Sequence, residues 1–295
     1  MLKLENLRVS YKSKPALDLK TTIEINDGER VGIIGSNGAG KSTLLKSILK
    51  TVEYEGSITY DISPEEIAVH MQQNEYSDIV PVRIIMEAVL GMPVNKHPLA
   101  AEMIEFFEFE DCLKKKWKHL SGGQKQRLTL ILVLCQESPL TMLDEVTSGL
   151  DFETRQKLME KLTEWYSERS TTLLITSHYY EELDNLASKI LFLDKGNLIA
   201  YGDKNELFRK YCGRAVITCK ASNETEAIAE NHRTVLAPSG TIAFSCRNAE
   251  EENEILRALT EKNLNYRRSC NDIEIMTINA KAAYYGGTSN EKENI

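Results

Sequence analysis

The sequence predicts an α/β fold: a mostly parallel sheet covered by helices, antiparallel strands ahead of it and a smaller α/β unit behind it. Three observations predict this. Apolar residues alternate at period two over residues 2–25, short apolar strands then alternate with helical segments, and a new strand–helix series begins near residue 212.

The alternation runs through Leu2/Leu4, Leu7/Val9/Tyr11, Leu17/Leu19 and Ile23/Ile25, and Asn26-Asp27-Gly28 closes it as a turn, so this stretch reads as antiparallel strands. Val31-Gly32-Ile33-Ile34 is a short buried-type strand running into a glycine-rich loop at 35–40. A helix follows, with Leu44, Leu45, Ile48 and Leu49 on one face. Residues 83–135 carry helical spacing and form a short helical subdomain. Leu140–Leu143, Thr172–Ile175 and Ile190–Leu193 are apolar strands separated by helical segments, the pattern of a parallel sheet buried on both faces. The first unit therefore spans 1–210. Beyond it we expect strand 215–219, helix 224–231, strands 233–237 and 241–246 around the Pro238-Ser239-Gly240 turn, helix 249–262 and strand 273–279. This βαββαβ unit would cover 211–285, followed by a disordered tail at 286–295.

The 295 residues are 42% hydrophobic and 27% charged, which excludes disordered and collagen-like chains. A formal charge of −8 argues against broad nucleic-acid binding. No apolar stretch approaches the roughly 18 residues that span a bilayer. The six cysteines include no CxxC pair, and the histidines at 70, 97, 119 and 232 show no metal-ligand spacing. The basic run Lys114–Lys118 reads as a solvated edge. These features point to a cytoplasmic protein with reduced thiols.

Gly35-Ser36-Asn37-Gly38-Ala39-Gly40-Lys41-Ser42, followed by Thr43, fits G-x-x-x-x-G-K-[ST] between a strand and a helix. The glycines let backbone N–H groups curl around phosphate oxygens at a helix N-terminus. Lys41 would reach the β- and γ-phosphates, and the Ser42 hydroxyl would coordinate Mg²⁺. Leu140–Leu143 ends in Asp144-Glu145. Facing the same loop, Asp144 would hold Mg²⁺ directly or through water, and Glu145 would polarise an attacking water. Leu120-Ser121-Gly122-Gly123-Gln124 precedes a long apolar helix (Leu128 to Leu134), with Ser121 as N-cap and Gln124 closing a capping box. Its two glycines bare N–H groups and make a second phosphate-binding helix end.

Together these motifs resemble the ATP-binding cassette (ABC) ATPases over residues 1–208. The resemblance makes Gly35–Ser42 the Walker A loop, Asp144-Glu145 the Walker B end and Leu120–Gln124 the signature sequence. It makes Ser148-Gly149-Leu150-Asp151 the D-loop and His178 the switch histidine. Tyr11 stands where the family stacks an aromatic on adenine. Gln72, with Gln73 beside it, matches the glutamine that the family places at the metal and the reacting phosphate, and Val146 replaces the usual proline after the catalytic glutamate. The resemblance implies MgATP hydrolysis by two chains closed head to tail, most simply a homodimer. Each ATP would lie between one chain's Walker A and the other's signature. A lone cassette without a membrane segment resembles the motor subunit of a transporter, docked on a separate permease at the inner face of the cell membrane. Only 48 residues lie between Gln72 and Ser121, and this short helical subdomain resembles exporters of peptides, drugs or similar amphiphiles. The competing class is a soluble ABC ATPase of the translation or DNA-repair type. Such proteins carry a second cassette or long coiled coils, and this sequence has neither a second Walker A nor sustained heptads.

Overall fold

A computed structural model describes the chain except residues 72–75 and 291–295, with backbone alone for 287–290. The N-terminal alternation forms strands β1 (Leu2–Tyr11), β2 (Lys14–Asp18) and β3 (Thr22–Ile25). β4 (Arg30–Ile34) leads through the glycine-rich loop into α1 (Lys41–Ile48). β5 (Glu55–Tyr60) returns to pair antiparallel with β1, and β6 (Ile67–His70) enters the central sheet. Helices α2 (Val82–Leu90), α3 (Ala100–Phe106) and α4 (Gly122–Cys135) form the helical subdomain. β7 (Leu140–Asp144), α5 (Phe152–Ser167), β8 (Thr172–Thr176), α6 (Tyr180–Leu186), β9 (Lys189–Asp194), β10 (Asn197–Asp203) and α7 (Lys204–Cys212) complete this part.

These strands make one ten-stranded sheet in the order β3-β1-β2-β10-β9-β4-β8-β7-β6, with β5 beside β1. From β9 to β6 every pair is parallel. Period two decides which core each side chain enters. Leu174, Leu191, Leu193 and Met142 face α1 and the antiparallel strands. Leu173, Ile175, Ile190, Phe192 and Leu143 face the core built by the other helices. The second half of helix α4 is enclosed all round, since every residue from Leu128 to Cys135 is buried.

The C-terminal unit contains β11 (Ala215–Lys220), α8 (Asn223–Ala229), β12 (Thr234–Val235), β13 (Thr241–Cys246), α9 (Ala249–Glu261), β14 (Tyr266–Ser269) and α10 (Ile273–Asn290). Its antiparallel sheet runs β12-β13-β11-β14. Ile217, Phe244 and Cys246 pack under Ile228, Ile255 and Leu259 of α8 and α9. Val216 and Ala243, on the opposite face, join the core of the first unit.

One expectation for this region is corrected. Residues 273–279 are not a strand; they begin α10, and the last strand is Tyr266–Ser269, paired with β11. That edge strand is polar and largely exposed, so it has no apolar alternation to reveal it. The helix start did have a signal: Asp272 accepts a hydrogen bond from the Ile275 N–H at 3.0 Å, as an N-cap residue does. α10 runs on to Asn290, past Gly286, where the tail is expected to begin. Its first turns are pinned by Ile273, Ile275, Met276 and Ala280 in the core of the first unit, and a helix nucleated that way propagates at little cost.

Candidate active site

The glycine-rich loop leaves β4 at the middle of the sheet and wraps back to the start of α1. A methyl group at Gly35 would lie 2.5 Å from the Leu193 carbonyl oxygen, so only glycine fits there. Gly40, at φ 108°, caps α1 in a backbone conformation that L side chains rarely adopt. Lys41 is 95% buried, and its Nζ donates to Gly35 O at 2.8 Å, drawing the ammonium across the loop. Burial pushes its pKa below the ordinary lysine value, while the charges of Glu145 and Asp144 pull it back.

Strands β7 and β8 end side by side, and this register assembles the carboxylates. Buried Asp144 accepts from the Thr176 hydroxyl at 2.6 Å and, through its other oxygen, from the Ser42 hydroxyl at 3.0 Å. Ser42 and Asp144, 102 residues apart, thus share one hydrogen bond, and hard oxygen donors of this kind suit Mg²⁺. Glu145 takes a positive φ of 51°, and its N–H donates to Thr176 Oγ1 at 3.0 Å. This bend turns its side chain toward the loop after β8. There His178 Nε2 lies 2.8 Å from Glu145 Oε1.

Ser121 caps α4 as expected: its hydroxyl accepts from the Gln124 N–H at 3.3 Å, and Gln124 Oε1 accepts from the Ser121 N–H at 3.1 Å. Ser121 and Gly122 are exposed, so this helix end faces outward. Gly122 and Gly123 line a cleft of about 640 Å³ together with Glu145, Ser148 and Gly149. Among the described residues, Lys41 and Ser42 do not line that cleft. Asp151 caps α5, accepting from the Thr154 N–H at 3.0 Å and the Thr154 hydroxyl at 2.7 Å. These bonds hold its carboxyl below the ordinary aspartate value. Tyr11 ends β1 opposite Lys14, 45% exposed. Gln72 and Gln73 lie outside the described residues.

Three comparisons bear on this geometry. A family model described as "ABC transporter" matches residues 20–148. The thiamine import ATP-binding protein ThiQ of Photorhabdus laumondii is 33% identical over 70% of this chain and 92% of its own length. The chain belongs to the ABC transporter ATP-binding proteins. The linearmycin resistance ATP-binding protein LnrL of Bacillus subtilis is 29% identical over 77% of each chain. Among solved structures, the ATP-binding cassette MJ0796, a dimer in a post-hydrolysis state bound to ADP and Pi, superposes with a TM-score of 0.60 at 25% identity. That match covers 69% of this chain and 98% of that one. The chain is therefore an ABC ATPase, and its sheet and helices are those of the cassette.

Sequence reasoning missed the residues that tie the loops of this ABC ATPase together. Thr176 bridges Asp144 and the Glu145 backbone, and Gln126 donates to the Val146 carbonyl. Glu182 is buried in α6 and accepts from Ser177 at 2.5 Å and Thr147 at 3.0 Å, linking the segment before His178 to the one after Glu145. A buried acid flanked by hydroxyl residues gives no sequence signal until the loops are folded together. Burial raises the Glu182 pKa above 4.5. The folded chain then keeps its proton to higher pH than the unfolded chain. Unfolding free energy should fall as pH rises from 4.5 through the folded value, relative to Glu182→Gln, which cannot ionise. Denaturant midpoints across that window check this. Glu182→Ala should cost about 1–3 kcal/mol, because two buried hydroxyls lose their acceptor.

Proposed function

We propose that this ABC transporter ATP-binding subunit powers an exporter of peptides, drugs or similar amphiphiles. In this reading two copies close head to tail on a separate permease, at the cytoplasmic face of the membrane. Residues 1–210 would be the nucleotide-binding unit and 211–285 an accessory one. The observation that carries the catalytic part is the contact between Glu145 Oε1 and His178 Nε2 at 2.8 Å, beside the Ser42–Asp144 pair.

The proposed chemistry rests on these positions. Tyr11 stacks on adenine, and the amides of Gly35 to Ser42, with Thr43, hold the phosphates while Lys41 neutralises their charge. Ser42 and Asp144, with Gln72, would hold Mg²⁺. Bound there, the ion would offset negative charge on the β- and γ-phosphate oxygens. Glu145 accepts the proton of the attacking water, and His178 keeps that carboxylate aimed. The second chain's Leu120 to Gln124 supplies its helix end to the γ-phosphate, and its D-loop, Ser148 to Asp151, lies against the same site. The outward-facing end of α4 at Ser121 and Gly122 supports this composite arrangement, because it is open to a phosphate that approaches from outside the chain.

Transport by a partner is supported by the helical subdomain. Ile79, Ile84, Val89 and Met92 are exposed large apolar residues at and around α2. Exposed apolar side chains concentrated in one stretch of the chain fit a protein partner. Among the described residues no helix is long and apolar enough to cross a membrane, so the path for cargo would come from that partner. The 48 residues between Gln72 and Ser121, and the likeness to a resistance protein, favour export. Relatives named for import and for export both match the cassette, so direction needs its own measurement.

The test is to purify the tagged chain from native detergent extract, identify the integral membrane protein retained with it, and reconstitute the pair in vesicles. With ATP on the cassette side, an amphiphilic dye should move away from that side into the lumen. Movement toward the cassette side would overturn export, and retention of no membrane protein would overturn the transporter subunit.

A further inference from the structure

The C-terminal helix reaches the phosphate loop through a single buried carboxylate. Asp194 ends β9 and is 98% buried. Among the described residues, its carboxylate is bonded from α10: Lys281 Nζ donates at 2.7 Å to one oxygen, and the Tyr285 hydroxyl at 2.9 Å to the other. Burial pushes the Tyr285 hydroxyl up to about 12, so it remains a donor across the working pH range. Without these two side chains Asp194 would be a buried charge with neither of them to offset it.

The turn after Asp194 carries this contact to the nucleotide loop. Lys195 (φ 49°) and Gly196 (φ 80°) form the two-residue turn into β10. The Gly196 N–H donates to the Ala39 carbonyl of the phosphate loop at 3.0 Å. The Gly196 carbonyl accepts from the Asp18 N–H at 2.7 Å. A methyl on Gly196 would come within 2.9 Å of the Ala16 carbonyl oxygen, so the turn presses on β2, the hairpin partner of Tyr11. One residue before Asp194, the Leu193 carbonyl blocks any side chain at Gly35. The end of β9 is therefore in backbone contact with both sides of the loop, with no flexible side chain to absorb a shift.

We propose that Lys281 and Tyr285 are positioning residues for nucleotide binding: through Asp194 they hold the 195–196 turn that braces the phosphate loop and the β1–β2 hairpin. The C-terminal unit then sets nucleotide affinity within its own chain. This rests on the reading of residues 35–42 as the ATP phosphate site.

The experiment uses the full chain and a fluorescent ATP analogue. The double variant Lys281→Met/Tyr285→Phe should raise the analogue's Kd by roughly 3- to 30-fold, the range for coupling through packed neighbours. The KM for ATP should rise in parallel, while kcat stays within about twofold. Lys281→Arg, which keeps the cation, should restore Kd to near the native value. Tyr285→Phe alone preserves ring packing, and it should speed amide hydrogen exchange in residues 35–42. If the double variant does not fold, that exchange measurement decides: unchanged protection of the loop overturns the proposal. Unchanged Kd in a folded double variant, or a loss confined to kcat, overturns it as well. Lys41→Ala is the control for the underlying reading. If it binds the analogue normally, the phosphate-site assignment fails. If it abolishes binding while the α10 variants bind normally, only the present proposal fails.

Discussion

Glu145→Gln should lower ATP turnover by on the order of 10²-fold or more while leaving MgATP affinity close to native. The amide matches the carboxylate in shape and can still meet His178 at the 2.8 Å position, but it cannot accept a proton from water. Affinity is spared because Lys41, Ser42 and Asp144 retain their own contacts. ATP should then trap a closed dimer, visible as an earlier peak in size-exclusion chromatography run with MgATP. Turnover close to native would show that another group takes the proton. Lys41→Ala should behave differently, with binding itself weakened.

Ser121→Arg should abolish ATP-driven dimerisation and reduce turnover by about 10²-fold, the scale of losing positioned donors at a reacting phosphate. A single chain should still bind ATP. The exposed helix end accommodates the larger side chain without touching the core, so the effect belongs to the approach of the second chain. Ser121 also caps α4, and losing a cap costs about 1 kcal/mol. Ser121→Ala, which loses the capping oxygen without adding bulk, measures that contribution separately. Mixing Ser121→Arg with Lys41→Ala chains rebuilds one intact composite site and should recover part of the activity that neither has alone. Full activity of Ser121→Arg by itself would remove the sandwich arrangement.

The two variants differ in how far the sequence alone could have led to them. Gly35–Ser42 is contiguous, and its chemistry lies in local backbone geometry, so spacing between strand and helix was enough to place Lys41 and Ser42 together. The Ser121–Gln124 capping box is equally local, and the structure contains it as expected. Asp144-Glu145 at the end of an apolar strand became meaningful only beside the glycine-rich loop, and the 3.0 Å contact from Ser42 depends on strand order. Thr176 and Glu182 were invisible. Each works by joining segments that are far apart in sequence or folded into separate loops, and a hydroxyl or acid in a loop has no periodicity to mark it.

The C-terminal unit shows the same division in the fold itself. Its apolar strands and amphipathic helices were legible, because Ile242, Phe244 and Cys246 alternate and Ile255, Leu256 and Leu259 share a helix face. In residues 273–279, Ile273, Ile275 and Thr277 alternate as they would in a strand. Ile273, Met276 and Ala280 fit a helix face equally well, and only docking against α7 and β10 selects that face.

From its own residues, then, the sequence determined the α/β class, the glycine-rich loop between strand and helix and the capped second helix end, since each rests on local patterns along the chain. Tertiary structure alone decided that Glu145 meets His178, that Glu182 ties two loops, and that α10 reaches Asp194 across 87 residues of chain. Those contacts are set by strand order and helix packing, which bring together groups whose sequence separation carries no information about their distance.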